Sequence, residues 1–189
     1  MLDQSKLRAG ALDHLAPRAR AIPAAELGVL PDAAKLVFRG RPAAIAAAER
    51  AFGLDLPREA CRFNAKGGRT AFWLGPDEWL LQAAGEDPAV LFEGLGQALS
   101  GEPHSLVDVS HRSDAFALSG PKSAYVLNHG CPLDLSVAAF PVGMCTRTLI
   151  GKATVILSRP EPDMFHIDVW RSFAPYVWQL LDEARGELA

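Results

Sequence analysis

Five consecutive residues, Ser110, His111, Arg112, Ser113 and Asp114, carry the side chains of a hydrolase: a hydroxyl to attack, an imidazole to take its proton, a carboxylate and an arginine. That chemistry requires the hydroxyl to touch its base. If VDVSHRSDAFALSG (Val107 to Gly120) is extended, alternation sends Ser110 and His111 to opposite faces and leaves Ser110, Arg112 and Asp114 sharing one. A serine and its histidine are ordinarily brought together from separate segments, and the chain contains no GxSxG elbow. The run reads as polar residues along a strand, with His111 or Arg112 available to a partner surface or an anion.

Other chemistries fail on spacing. KGG (Lys66 to Gly68) and IGK (Ile150 to Lys152) fit neither GxGxxG nor GxxxxGK[ST], and read as bends within strands. Cys61, Cys131 and Cys145 form no CxxC pair; His129 and Cys131 lack partners for a closed zinc site and read as packing residues. Arg147, Arg159 and Arg171, with Lys152, place cations in the last third that could meet carboxylates across an interface. Trp73, Trp79, Trp170 and Trp178 lie in or beside two hairpins and the final helix, and any of them left exposed would suit a contact surface. With a formal charge of −3, the 189 residues give no electrostatic reason to expect nucleic acid or an anionic membrane. MLDQSKLRAG has no apolar leader and no run approaches a membrane span, so a cytoplasmic location is expected.

The elements that would position these residues are written twice. KLVFRG reads as a strand, Pro42 opens an alanine-rich helix that Gly53 stops, and LDL follows at Leu54 to Leu56. CRFNAKGGRTAFWL contains a further strand, GPDE turns it and WLLQAA returns; Asp87 and Pro88 then start a helix with Leu91, Leu95 and Leu99 stacked on one side. The second half repeats the order: AFALSG, a helix opened by Pro121, LDL again at Leu133 to Leu135, CTRTLIGKATVILS, the turn RPEPD, the strand MFHIDVW and a closing helix. Ser172 is the expected cap of that helix, and Phe173, Val177, Leu180 and Ala184 its buried stripe. Leu133 follows Leu54 by 79 positions and Cys145 follows Cys61 by 84; Gly67, Thr70 and Pro76 align with Gly151, Thr154 and Pro160. The expectation is an α+β fold in which a strand-helix-hairpin-helix unit is duplicated, with repeats at about 35–100 and 105–186 sharing one core in a single compact domain, 35–189. Residues 1–34, with Pro17, Pro23 and Pro31, read as an irregular arm docked on the domain or laid across a partner.

Three runs, VDVSHRSDAFALSGPKSAYVLNHGCPLDLS, FPVGMCTRTLIGKATVILSR and FHIDVWRSFAPYVWQLL, resemble the gamma subunit of heterotetrameric sarcosine oxidase, most specifically from Val107 to Leu181. The resemblance implies a noncatalytic structural and assembly subunit of a complex that converts sarcosine, tetrahydrofolate and oxygen to glycine, 5,10-methylenetetrahydrofolate and hydrogen peroxide. It implies alpha, beta and delta subunits as partners. It places FAD, FMN, NAD, tetrahydrofolate and zinc on those other subunits, and no cofactor, metal or catalytic residue on this chain. His111, Arg112, Arg147, Arg159, Trp170 and Arg171 are the expected partner-facing residues. The same stretch resembles, more distantly, the folate-binding fold of the glycine-cleavage aminomethyltransferase, itself a duplicated α+β unit. In that family a GGxxDD-like run supplies the aspartate that engages folate. Here the corresponding positions are Thr154 and Val155, and in the first half KGGRTAF offers Arg69, Thr70 and Ala71; neither half keeps a carboxylate there. No Lys-Gly-Cys run of the folate-dependent iron–sulfur assembly proteins occurs. The alternatives are a free-standing folate-dependent transferase using Asp108 or Asp168, and the corresponding subunit of an N-methylglutamate dehydrogenase.

Overall fold

A computed structural model describes residues 10–189. In chain order the elements are β1 (Glu26–Val29), β2 (Ala33–Gly40), α1 (Pro42–Phe52), β3 (Phe63–Lys66), β4 (Arg69–Gly75), β5 (Glu78–Ala84), α2 (Pro88–Ala98), β6 (His104–Asp108), β7 (Ser113–Ser119), α3 (Ser123–Leu127), β8 (Cys145–Ile150), β9 (Ala153–Glu161), β10 (Met164–Trp170) and α4 (Ala174–Arg185). They build two antiparallel five-stranded sheets, the first in the order β3-β4-β5-β2-β6 and the second β1-β7-β10-β9-β8. Four strands of each sheet follow the same plan, β3-β4-β5-β2 against β8-β9-β10-β7, which is the duplication expected from the sequence. Both long hairpins also carry a register shift beside their turn, between Trp73 and Gly75 and between Met164 and His166.

The fifth strands are exchanged. β1 runs into β2 of the first repeat yet pairs with β7 of the second sheet, Leu27 opposite Leu118. β6 runs into β7 of the second repeat yet pairs with β2 of the first, Leu106 opposite Phe38. Glu26–Val29 is therefore regular structure inside the segment expected to be an irregular arm. Four residues beside three prolines carry too little alternation to announce a strand. The rest of the described arm docks on its own chain: Leu12, Ile22 and Ala25 are buried, and the fully buried Arg185 donates to the Ala25 carbonyl at 3.2 Å. Residues 1–9 of the expected arm lie outside the described residues.

Alternation sorts each strand between two interiors. Leu36, Phe38, Ala71, Trp79 and Leu81 face α1 and α2, whose Ala44, Ala48, Phe52, Leu91, Leu95 and Leu99 close the first core. Phe116, Leu118, Val155, Leu157, Phe165, Ile167 and Val169 face α3 and α4 in the second. The opposite faces meet in a thinner seam of Phe72, Leu80, Val109 and Cys145 with Val37, Phe63 and Ile156 around them, giving a helix, sheet, sheet, helix stack. Local chemistry sets the helix ends as expected: Gly53 closes α1 at φ +69°, and Asp87 caps α2 by accepting from the Ala89 amide at 2.8 Å. The two LDL runs plug the cores from below, Leu56 and Leu135 both being buried.

Three expectations are corrected. The helix opened by Pro121 is one short turn, Ser123–Leu127. α4 begins after Phe173 without a side-chain cap, and Ser172 lies before it; the buried face is Ala174, Val177, Trp178, Leu181 and Ala184, while Phe173 is exposed and Leu180 lies half-buried. Val177 and Ala184 are buried as expected, Leu181 is buried in place of Leu180, and Trp178 joins the face with its ring edge-on to Phe116. KGG and IGK are not bends within strands: Gly67 and Gly68, and Gly151, turn the β3–β4 and β8–β9 hairpins at φ +59°, +82° and +58°.

The seam between the sheets is not wholly apolar. Lys35, buried in β2, places Nζ 2.6 Å from Asp168 of β10, and donates to the Ser113 carbonyl at 3.0 Å and hydroxyl at 3.2 Å. Gln82 of β5 donates to the same Asp168 oxygen at 3.2 Å. One ammonium and one carboxylate, withdrawn from water, thus bind β2 and β5 of one sheet to β7 and β10 of the other. Isolating either charge costs far more than replacing both.

Lys35→Met alone strands Asp168 and is expected to lower stability by about 3–5 kcal/mol in urea unfolding, whereas Lys35→Met with Asp168→Leu recovers most of the loss. Gly120 sits at φ +118° with the Ala24 and Pro23 carbonyl oxygens 2.7 Å from where a Cβ would stand, while Gly94 of α2 has open space. Gly120→Ala is expected to destabilise by several times the roughly 1 kcal/mol that Gly94→Ala adds. Burial pushes the Cys145 thiol up from 9.0 to about 12, with Cys61 nearby adding to the rise, and holds His166 below its ordinary 6.5 against the opposing pull of Glu161. The Cys145 contribution is complete below pH 9 and is lost as pH climbs toward 12; that of His166 is present above pH 6.5 and is lost on acidification below it. Unfolding free energy should therefore fall less steeply above pH 9 in Cys145→Ala than in the parent chain.

Candidate functional site

Of the five-residue run that resembles a hydrolase, only Ser113 and Asp114 lie in a strand. β6 ends at Asp108 and β7 begins at Ser113, so Ser110 to Arg112 form the turn that carries the chain from the first sheet to the second. The strand reading assumed alternation across a place where the main chain reverses. Asp108 closes the turn, accepting from the Ser110 amide at 2.9 Å and its hydroxyl at 2.6 Å, and the same hydroxyl oxygen accepts from the Lys35 amide at 2.9 Å. Ser110 is thus spent on holding β6 beside β2. Its hydroxyl is engaged on both sides, donating to the Asp108 carboxylate and accepting from the Lys35 amide. Asp114 faces elsewhere and accepts from the Ala11 amide at 3.2 Å.

This turn and its repeat counterpart, the β1–β2 connection, meet at one end of the sandwich. Together with residues 10–13 and the β5–α2 link they surround a cavity of about 570 Å³, with Lys35, His111 and Arg171 among the groups around it. The volume is that of a small-molecule pocket. Its polar lining is largely committed to the fold: Lys35 to Asp168, Asp87 to the α2 cap, Asp114 to Ala11, and Glu86 to a two-bond pair with Arg69 that holds its carboxyl below the usual range.

The positions where a folate-engaging acid would be expected do not supply one. Thr154 is exposed, Val155 is buried under α4, and Thr70 and Ala71 occupy the matching strand of the first half. Of the two substitute carboxylates, Asp108 holds its own turn and Asp168 is bound to Lys35 and Gln82. Neither is a free base, and the residues present do not fit a folate-activating site. Lys35 and Gln82 were not singled out from the sequence, although the signal was there. In KLVF both faces of the strand are apolar except for Lys35, and a lone cation in a strand buried on both sides has to find a counter-charge.

The expected partner-facing residues separate into distinct groups. Arg159 is buried, its guanidinium over the Phe165 ring and bonded to the carbonyls of Leu135, Phe140 and Pro162; burial holds its pKa down. It ties the 135–140 loop to β9 and has no surface to offer, a correction to its expected place. Arg147 bridges the two sheets through Glu78 and the Leu74 carbonyl. His111 and Arg171 border the cavity. Arg112 and Trp170 come together on the surface: the guanidinium lies 5.8 Å from the indole centroid, and Trp170 is 53 % exposed. Among the described residues, no three potential metal ligands converge; Cys131 is buried and His129 bonds to the Tyr125 carbonyl.

Comparison with known proteins fits this arrangement. Residues 38–187 match the model of the sarcosine oxidase, gamma subunit family. The sarcosine oxidase subunit gamma of Corynebacterium sp. (strain U-96) is 32 % identical over 197 residues, covering all of this chain and 95 % of the relative. A chain in the solved heterotetrameric sarcosine oxidase of Corynebacterium sp. U-96, in complex with pyrrole 2-carboxylate, superposes with a TM-score of 0.88 at 31 % identity, over 96 % of both chains. The glycine cleavage system aminomethyltransferase T of Bartonella henselae shares the fold at a TM-score of 0.66 and 17 % identity, over 91 % of this chain and 48 % of that one. This duplicated two-sheet chain, which matches the family model over residues 38–187 and a curated gamma subunit over its whole length, belongs to the sarcosine oxidase gamma subunit family.

Proposed function

We propose that this chain is a noncatalytic assembly subunit that buttresses the larger chains of a cytoplasmic heterotetrameric sarcosine oxidase, corresponding to the alpha, beta and delta subunits that the family resemblance implies. The single observation that carries the reading is the disposition of Asp168. The carboxylate that could have served a folate-type cavity is bound to Lys35 and Gln82 between the sheets, where it is a structural tie. A scaffold with its reactive position replaced by Thr154 and its spare acid locked up can contribute shape and surface to a complex, while flavins, dinucleotide, folate and zinc reside on the partner chains. Among the described residues no helix is long and apolar enough to cross a membrane.

Coexpression with candidate alpha, beta and delta chains is expected to give a complex that co-elutes on size exclusion and oxidises sarcosine. The isolated chain should bind no flavin and turn over no sarcosine. Titration calorimetry of the isolated chain with tetrahydrofolate is expected to show no saturable binding; clear saturable binding would favour a folate-dependent transferase instead.

A further inference from the structure

We infer that the strip formed by Trp170, Arg112, Thr154 and Leu149 is the surface by which this chain docks an acidic segment of a larger partner subunit. The inference rests on the assembly reading above and names the surface that serves it.

Trp170 lies two positions beyond Asp168 in β10, so it is on the face that β10 turns toward the first sheet. Contact with that sheet ends at Lys35 and Gln82, which meet Asp168. Val169 pairs with Val155 and Leu149 with Thr154, so the row continues from Trp170 across β9 to β8. Leu149 is 45 % exposed, and Thr154 is exposed with it. A sheet face that is covered by the first sheet two residues away, at Asp168 and Ile156, is thus left open as a band with an indole at one end and a leucine at the other.

The band is held rigid and positively charged. The Arg171 amide donates to the Arg112 carbonyl at 2.9 Å, fixing the β6–β7 turn to the end of β10, and the Arg112 guanidinium stacks against the Trp170 ring. Among the described residues Arg112 forms no ion pair and the Trp170 indole N–H no hydrogen bond. Lys152, in the turn between Leu149 and Thr154, has no ion pair either. The strip itself carries no carboxylate. A tryptophan and an arginine ordered before contact lose little freedom on binding and are the residue types that dominate interface energies. Their complement is a segment presenting a carboxylate to Arg112 and Lys152, a carbonyl or carboxylate to the indole N–H, and an apolar side chain to Leu149. A second copy of the strip is a poor occupant, because a two-fold contact would set like charges together.

The test uses the coexpressed complex with Trp170→Ala, Arg112→Ala and Arg112→Glu, and Phe92→Ala on α2 as the remote control. Each strip variant should weaken association by about tenfold or more, Arg112→Glu most, while Phe92→Ala leaves it unchanged. Raising salt should weaken the parent complex more than the Arg112→Ala complex. Melting temperatures of the isolated variants should match the parent, since both side chains are on the surface. Unchanged association in Trp170→Ala and Arg112→Glu overturns the inference alone, as does a strip-dependent dimer of the isolated chain. Failure of the parent chain to join the complex overturns the subunit reading, and the inference with it.

Discussion

Neither sheet is complete without the other repeat. The strand that opens each half, β1 or β6, hydrogen-bonds along the outer strand of the other half's sheet, so the first sheet ends in residues His104–Asp108 and the second begins with Glu26–Val29. Opening the sandwich therefore means breaking two main-chain ladders as well as the apolar seam. The exchange also dictates where the connections run. Both crossings, one through residues 30–32 and one through 109–112, have to pass the same end of the stack, which is why the cavity lies there and why Ser110 to Arg112 form a turn. The far corner is joined too: the Cys145 amide donates to the Cys61 carbonyl at 2.9 Å, so repeat-equivalent cysteines face each other where β3 and β8 begin.

Given two sheets fixed in this way, the polar groups between them have to neutralise one another. Lys35, Asp168, Gln82 and Ser113 do so as one set, each belonging to a different strand. A catalytic descendant of such a scaffold needs an acid free to change its protonation or partner. Asp168 is held by an ammonium whose other partners, the Ser113 carbonyl and hydroxyl, are neutral, and its removal would leave the buried Lys35 without a counter-charge. Position 154 is an exposed threonine, and the one carboxylate between the sheets, Asp168, is engaged by Lys35 and Gln82.

Much of this was legible in the residues. The Pro-started α1, the Gly53 stop, the Asp87 cap and the Leu91–Leu95–Leu99 stack follow from local backbone chemistry, and the structure has them where the sequence puts them. The repeat was visible because turns are punctuated by the same residue types in both halves. What sequence could not supply is whatever depends on partners distant along the chain. β1 is a strand only because β7 lies beside it, 87 or more positions away. Arg159 spells like any surface arginine, and only the fold wraps the 135–140 loop around it. The α4 face keeps Val177 and Ala184 but trades Phe173 and Leu180 for Ala174, Trp178 and Leu181: Trp178 fits against Phe116, and that neighbour is not readable from a helical period. Of the candidate surface, Arg112 and Trp170 were both legible as residue types suited to contact; their stacking was not.

The strand exchange also has a bearing on the order in which the molecule can be made. During synthesis the first sheet can close as soon as residues 104–108 leave the ribosome, but β1, translated long before, has no partner until Ser113–Ser119 appears and no finished sheet until β10 and β9 follow. For most of translation the earliest strand is a loose end waiting on the latest ones. Its shortness, with Gly28 in its middle and Glu26 at its start, leaves that waiting strand little apolar surface with which to pair in error.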